Sequence, residues 1–436
     1  MVSKNFLSSV SVFIIILFIL SGCGSKESSW ISFTKPGKAG FSADSLKKID
    51  LLIQKEIAEG KIPGAAALVA KDGKIFYQVA YGYQDIENKT PLDPDKLFRM
   101  ASMTKPITSV AIMQLYEKGK LNLNDPVSKY ISSFSNPKVL VSFSRKDTTW
   151  TSRPASREIT IHDLLTHTSG IQYGFVDTIF SAIYAKNGIP DLAVPIDLTI
   201  ETSMNALGTL PLAHDPGTKF TYGLNTDVLG RVVEVASGMT LADYFRDNIT
   251  GPLKMNDTKF FFDEVLSERL TSAYTMNLKD TSLVKITSMG IFTGDYPVRG
   301  ARKYFSGGSG LTSTLKDYFV FCQAVLNGGE YNGVRILKDS TVALMVSDHL
   351  GDLRWASNST FGYGLRINSE RNAVGAIGPV FDLGWGGAFS TWFTINPAEN
   401  VIEILATQVL FNPFGDEFNH EFDLAVKRSL IQNLKK

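Results

Sequence analysis

The 436 residues carry 44 Lys and Arg against 43 Asp and Glu, and no basic run longer than a few residues breaks that balance. The chain has no charge excess with which to hold a polyanion, which argues against a nucleic-acid partner. Two cysteines are too few for a disulfide scaffold, and a normal apolar content at this length implies one large mixed domain or two intimately packed lobes.

Residues 1–22 read as a lipoprotein signal peptide. Lys4 gives the positive start, and Val10 to Leu20 is almost wholly apolar but too short for a comfortable membrane span. Leu20-Ser21-Gly22-Cys23 follows as a bacterial lipobox. Cleavage before Cys23 and lipidation of its thiol are expected, which would place the domain in the bacterial cell envelope as a membrane lipoprotein, outside the cytoplasm. Removal of 1–22 takes one lysine and no acid, leaving a neutral chain with Cys322 as its one thiol. Cys322 sits in an apolar helical stretch and reads as a buried small hydrophobe. Residues 23–40, polar and broken by Gly24 and Lys35-Pro36-Gly37, read as a lipidated tether.

A helix is expected from Ala43 to Glu59, with Leu46, Ile49, Ile53 and Ile57 on one side and Gly60 as its stop. Two strands follow, Ala65 to Ala70 and Lys74 to Tyr83, joined by a tight turn. Then comes Ser102-Met103-Thr104-Lys105, followed by Pro106 and a long apolar run. Serine and lysine three residues apart share one face of a helical turn. Pro106 is tolerated only in the first turn, so Ser102 lies near the helix start, where unpaired N–H groups and the helix dipole favour negative charge on its oxygen. These are the requirements of an activated nucleophile. The tetrapeptide does not select itself, because Ser-x-x-Lys recurs at Ser45, Ser135, Ser282 and Ser313.

Short helices are expected at 161–166, 226–236 and 241–248, with 136–160 and 171–215 as loops and 271–298 irregular. Helices at 313–326 and 339–345 follow Gly307-Gly308-Ser309-Gly310. Strands are expected at 361–367, 388–395 and 401–408, and a final helix at 420–434. Strands at both ends around a helical insertion imply an α+β fold, with one antiparallel sheet flanked by helices and built from both termini, plus a mainly helical lobe at roughly 102–300.

The run Phe98-Arg99-Met100-Ala101-Ser102-Met103-Thr104-Lys105-Pro106 resembles the active-site segment of the beta-lactamase-related serine hydrolases. That superfamily includes class C beta-lactamases, D-alanyl-D-alanine carboxypeptidases, family VIII esterases and a statin acyltransferase. Leu123-Asn124-Asp125-Pro126, Leu164-Leu165-Thr166-His167-Thr168-Ser169-Gly170, Pro216-Gly217-Thr218-Lys219-Phe220-Thr221-Tyr222 and Gly307-Gly308-Ser309-Gly310-Leu311 match in order. The resemblance implies a beta-lactamase/transpeptidase-like domain over 41–436. It makes Ser102 the acylated nucleophile, with Lys105 and Tyr222 as its proton relay. Unperturbed lysine and tyrosine ionise near about pH 10, so neither is a good base alone, whereas a coupled pair can move a proton. Leu383-Gly384-Trp385-Gly386-Gly387-Ala388 stands where lactamases carry Lys-Thr-Gly and looks like the esterase and acyltransferase form. By the same alignment the N–H groups of Ser102 and Ala388 form the oxyanion hole, each donor being worth about 3–4 kcal/mol.

Substrate-binding positions carried over are Leu224, Asn225, Trp385, Gly386 and Gly387. Paired glycines would let a substrate approach the backbone. Leu224 stands where the polar relatives have asparagine, and Trp385 where they have a cationic or polar residue; both changes favour an apolar ester over an anionic substrate. The expected activity is therefore ester hydrolysis, with acyl transfer open to the same intermediate. A D-alanyl-D-alanine carboxypeptidase or D-aminopeptidase with weak beta-lactamase activity is the alternative enzyme. A non-catalytic binder of cell-wall fragments is the alternative of another class, disfavoured by the intact Ser102, Lys105 and Tyr222. No cofactor or metal is expected: His162 and His167 are five apart with no carboxylate cluster, His167 reads as packing beside the site, and His214, His349 and His420 lack a motif. Tyr173, Phe175, Tyr304, Phe305, Trp385 and Trp392 could line an apolar cleft or belong to the core. The sequence says nothing of oligomeric state.

Overall fold

The computed structural model describes residues 30–353, 359–368 and 382–431, so the targeting segment and Cys23 lie outside the described residues. The folded unit begins at Ile31, ten residues before the boundary expected at 41. Ser32–Phe33 (β1) adds a parallel strand, Ser32 opposite Lys74. The tether reading missed this because two residues of edge strand show no alternation.

Helix α1 (Ala43–Ala58) is capped by the Ser42 hydroxyl, which accepts from the Ser45 N–H at 3.2 Å. It precedes the hairpin β2 (Gly64–Lys71) and β3 (Lys74–Asp85). The other strands come from the far end of the chain: β4 (Ser359–Phe361), β5 (Arg366–Asn368), β6 (Asp382–Gly387), β7 (Thr391–Asn396) and β8 (Val401–Ala406). Their order is β1-β3-β2-β8-β7-β6-β5-β4, and Thr90–Pro91 pairs with β3 as a ninth strand. All pairs but β1–β3 are antiparallel. The sheet is thus assembled from both ends, as expected.

The expected strand at 388–395 begins only at Thr391 as β7; Ala388 lies in the turn before it, and β6 on the other side of that turn was not read as a strand. Ser390 closes that turn with φ +59° and donates its N–H to the Gly387 carbonyl at 2.9 Å. Glycines at 384, 386 and 387 had diluted the strand signal. The expected strand at 361–367 is a hairpin, turned at Gly362–Leu365 with Gly364 at φ +83°. One sheet face packs on α1 and the terminal helix α5 (Gly415–Ser429), through Leu46, Ile49, Ile53, Phe418, Phe422 and Val426. Helix α5 starts five residues earlier than read, with Asp416 and Glu417 in its first turn. Across the sheet lies α4 (Leu315–Leu326), whose Tyr318 ring meets Phe393 of β7 at 5.1 Å and whose Cys322 is buried.

The second lobe is centred on α2 (Thr104–Glu117), buried from Thr104 to Leu115 on every side and therefore a core helix rather than an amphipathic one. Helix α3 (Asn225–Ser237) packs along it. This lobe is less purely helical than expected. Residues 138–154 form a hairpin, Lys138–Ser144 with Thr149–Pro154, which is largely solvent-exposed and so lacks the apolar alternation that marks a half-buried strand. Two helices, Thr178–Lys186 and Ile200–Leu207, occupy the stretch read as loop, and short strands punctuate 274–293. Among the described residues no helix is long and apolar enough to cross a membrane.

Candidate active site

Ser102 sits in a single tight turn, Ala101–Met103, that leads directly into α2 with Pro106 in its first turn. Ala101, immediately before it, has φ +43°, a left-handed conformation that a non-glycine residue rarely adopts. The turn is held from two sides. The Met100 N–H donates to the Leu311 carbonyl at 2.9 Å and Leu311 N–H to Thr104 Oγ1 at 3.0 Å, while Thr391 Oγ1 of β7 donates to the Met100 carbonyl at 3.2 Å. Beneath it Arg99 is buried and donates to the carbonyls of Thr271 and Tyr296, each at 2.7 Å, and to that of Gly294. Burial lowers its guanidinium to about 10, which leaves it charged and fixed near neutral pH.

Lys105 is wholly buried, and its ammonium has three acceptors: Ser102 Oγ at 3.0 Å, the Tyr173 hydroxyl at 2.9 Å and the Gly308 carbonyl at 2.8 Å. Three N–H groups with three acceptors leave none unsatisfied. Tyr222 donates its hydroxyl to the same Ser102 Oγ at 2.7 Å, and Trp385 Nε1–H donates to the Tyr222 oxygen at 3.3 Å. The ammonium also lies 4.7 Å from the Tyr222 ring centroid. Ser102, Lys105, Tyr222 and Trp385 are thus brought together from α2, from the loop before α3 and from β6.

The Tyr222 loop is stitched to the His167 segment. The Thr221 N–H donates to the His167 carbonyl at 2.7 Å, and the His167 and Tyr222 rings are 4.9 Å apart. His167 Nδ1 accepts from Asn225 Nδ2 at 2.9 Å and from the Gly223 N–H at 3.4 Å. Burial, with the Lys105 charge adding to it, holds this imidazole well below its ordinary range. His167 is therefore neutral packing beside the site, as its segment suggested. Behind Lys105 the buried Asp227 of α3 accepts from Ser306 Oγ at 2.5 Å and from the Gly308 N–H at 3.3 Å, and burial raises its carboxyl above the ordinary range.

Several expected substrate contacts turn out otherwise. Asn225 is buried, and its amide is spent on His167, Ser169 and the Ile171 carbonyl. Leu224 is 1% exposed and packs inward. Neither reaches a cleft. A side chain on Gly387 would strike the Met100 carbonyl and Thr391, and one on Gly386 would come within 3.1 Å of the Trp392 ring. The close approach these glycines permit is therefore to the protein's own backbone and core. For Gly387 it sets the end of β6, and with it Ala388, directly against the Ser102 turn. Of the aromatic residues, Tyr304 is core, Phe305 packs on Phe260 and Phe261, and Trp392 lies under the Arg366 guanidinium at 4.4 Å.

Sequence reasoning named Tyr173 only as a cleft or core aromatic, not as a partner of Lys105, and did not name Asp227. Burial pushes the Tyr173 hydroxyl well above its ordinary value, with Tyr222 and Asp227 adding to the effect, so it remains a protonated partner for Lys105. Its only sequence signal is its place three residues after Gly170 in the His167–Gly170 motif segment. Among the described residues no group of three His, Cys, Asp or Glu side chains gathers to hold a metal ion.

A nucleophilic hydroxyl flanked by a buried ammonium and a phenol, beside a turn of open backbone, is equipped for acyl transfer. The comparisons agree. The family model described as Beta-lactamase matches residues 49–427. Protein Rv1367c of Mycobacterium tuberculosis is 32% identical over 365 residues, covering 80% of this chain and 86% of that one. Esterase EstB of Burkholderia gladioli is 29% identical over 377 residues, covering 81% and 88%. The solved structure described as "EstCE1, a hydrolase with promiscuous acyltransferase activity" superposes with a TM-score of 0.72 at 26% identity, covering 89% of this chain and 99% of that one. A Ser-Lys-Tyr cluster joined to β6 of the sheet through Trp385, within a sequence matched by the family from its first long helix to its last, means that the chain belongs to the Beta-lactamase family and is a serine hydrolase of that fold.

Proposed function

We propose that the chain hydrolyses carboxylic esters through an acyl-enzyme on Ser102. The observation that carries this reading is the pair of contacts on Ser102 Oγ, 3.0 Å to Lys105 Nζ and 2.7 Å to the Tyr222 oxygen. With one proton already lost from the Lys105–Tyr222 pair, Ser102 Oγ adds to the ester carbonyl carbon and passes its own proton to the pair at the Tyr222 oxygen. The N–H groups of Ser102 and Ala388 receive the carbonyl oxygen as it becomes negative, and Trp385 N–H and the Lys105 ammonium are placed to stabilise charge on the Tyr222 oxygen. Collapse breaks the carbon–oxygen bond to the alcohol, which leaves with the proton held by the pair. Water then repeats the sequence on the acyl-enzyme and releases the acid. An alcohol in place of water would give acyl transfer, the second activity named for EstCE1.

Trp385 supplies no cation to hold a carboxylate, and the Asn225 amide is already engaged, so the ester reading is favoured over a D-peptide or beta-lactam one. The test is turnover of p-nitrophenyl esters and of a chromogenic cephalosporin by the protein and by Ser102→Ala. Ester turnover lost in the variant, with little cephalosporin turnover, supports the reading; cephalosporin or D-alanyl-D-alanine turnover without ester turnover overturns it. The envelope location rests on the lipobox, and incorporation of labelled palmitate that disappears in Cys23→Ser would test it.

A further inference from the structure

Two exposed aromatic side chains are each one contact away from a residue of the site. Phe175 is 45% and Phe411 50% exposed, and their rings lie 5.1 Å apart. Both are pinned to the site. The Phe175 ring stacks on Tyr173, with centroids 4.7 Å and planes 18° apart, and Tyr173 in turn accepts from Lys105. The turn that carries it, Gly174–Val176, is capped by the half-buried Asp191 loop: Asp191 Oδ1 accepts from the Gly174 N–H at 2.6 Å, and its carboxylate also takes the Phe175 N–H.

Phe411 is held differently. Its backbone has φ +51°, a left-handed conformation that disfavours any bulky residue and is a recurrent sign of functional strain. Its N–H donates to the Ala388 carbonyl at 2.8 Å. One ring is therefore tied to Lys105 through Tyr173, and the other to the turn carrying the proposed oxyanion donor. Exposed phenyl groups gain nothing from water, and a touching pair tied to residues of a polar site suits an apolar group brought by a ligand.

We infer that Phe175 and Phe411 form an apolar subsite for the hydrocarbon substituent of the ester that Ser102 attacks. The inference rests on the ester reading above. The substituent is the acyl chain or the alcohol, which offer the rings the same contact chemistry.

The test uses Phe175→Ala, Phe411→Ala, the double variant and the two leucine variants. Values of kcat and KM are measured for p-nitrophenyl acetate, butyrate and octanoate, and for methyl and octyl butyrate. Methylboronic and octylboronic acids add a readout that needs no turnover: boron takes Ser102 Oγ as a fourth ligand, the hydroxyl proton is released, and calorimetry gives Kd. The expected result is a wild-type preference for the longer substituent that falls about tenfold in the double alanine variant, mainly through KM, and returns with leucine. The short esters should change less than twofold. Loss confined to the octanoate series assigns the acyl chain, and loss confined to octyl butyrate assigns the alcohol. An unchanged length preference in both series overturns the inference. If the wild type turns over no ester, the parent reading fails and the boronates decide. Octylboronate binding that is tighter than methylboronate binding and depends on the two rings supports the subsite, and equal affinities across the variants overturn it.

Discussion

Gly308 offers the sharpest test of how Lys105 is placed. Its carbonyl accepts from Lys105 Nζ at 2.8 Å, and its N–H donates to Asp227 at 3.3 Å. In Gly308→Ala the added methyl would point between Asp227 and Tyr173, 3.1 Å from the Tyr173 hydroxyl and nearer still to the Asp227 carboxylate, where ordinary contact begins at 3.4 Å. Both neighbours are buried and hydrogen-bonded, so the Gly307–Ser309 backbone must retreat by about 1 Å, a displacement that typically costs about 100-fold in rate when it reaches a catalytic group. The retreat also breaks the bond to Lys105, and an ammonium N–H left without an acceptor at full burial costs about 1–3 kcal/mol. We expect kcat for p-nitrophenyl butyrate to fall about 100-fold and denaturant unfolding to lose about 2 kcal/mol. Gly37→Ala, where a methyl meets nothing within 4 Å, is the control. A cooperatively folded Gly308→Ala protein with kcat within about twofold of wild type would refute the idea that this carbonyl positions the lysine.

Ser102→Ala is expected to abolish ester turnover and boronate binding, and Tyr222→Phe to lower kcat by about 10²–10⁴; steady-state kinetics on one ester measure both, and a Tyr222→Phe enzyme of normal kcat would remove the tyrosine from the relay. Trp385→Phe removes the N–H at 3.3 Å from the Tyr222 oxygen and should cost kcat about three- to tenfold with KM for an apolar ester little changed; a loss confined to KM would make Trp385 a binding wall instead. His167 has its folded pKa held below the unfolded value of about 6.5, so the unfolded chain takes the extra proton. Its contribution to stability is complete above that value and is lost as pH falls below it, by up to about 1.4 kcal/mol per pH unit. His167→Gln keeps an acceptor for Asn225 without a titration, and urea unfolding at pH 7, 6 and 5 should show a shallower loss than wild type; equal slopes would mean that His167 takes up protons equally in the folded and the unfolded chain.

The Ser102–Lys105 pair was legible because the chemistry needs one helical turn and the proline marks where that turn begins. Tyr222 was legible only through its motif, since a tyrosine in a loop carries no local signature of what its hydroxyl touches. The same blindness hid Tyr173, which in sequence is one more apolar-lined aromatic and in space is the third partner of the ammonium. Asn225 was carried over as a substrate contact because sequence gives position but not direction, and one residue of offset turns its amide onto His167. In the sheet, β2 and β8 announced themselves as buried runs and the half-buried β3 as the partner of β2 across a tight turn, whereas β6 was masked by glycines required by the Met100 carbonyl and Trp392. The exposed hairpin at 138–154 buries too little to impose a pattern at all.

The joint between Gly387 and Met100 makes the chemistry a report on the whole chain. Ser102 is reached early in the sequence, yet Ala388 comes from the last stretch before the terminal helix, and the strand between them cannot dock until both parts are present. On the proposed mechanism, a chain stopped short of β6 would carry Ser102, Lys105 and Tyr222 and still lack the Ala388 N–H, so active-site titration with a slowly released acyl ester would count finished molecules rather than synthesised ones.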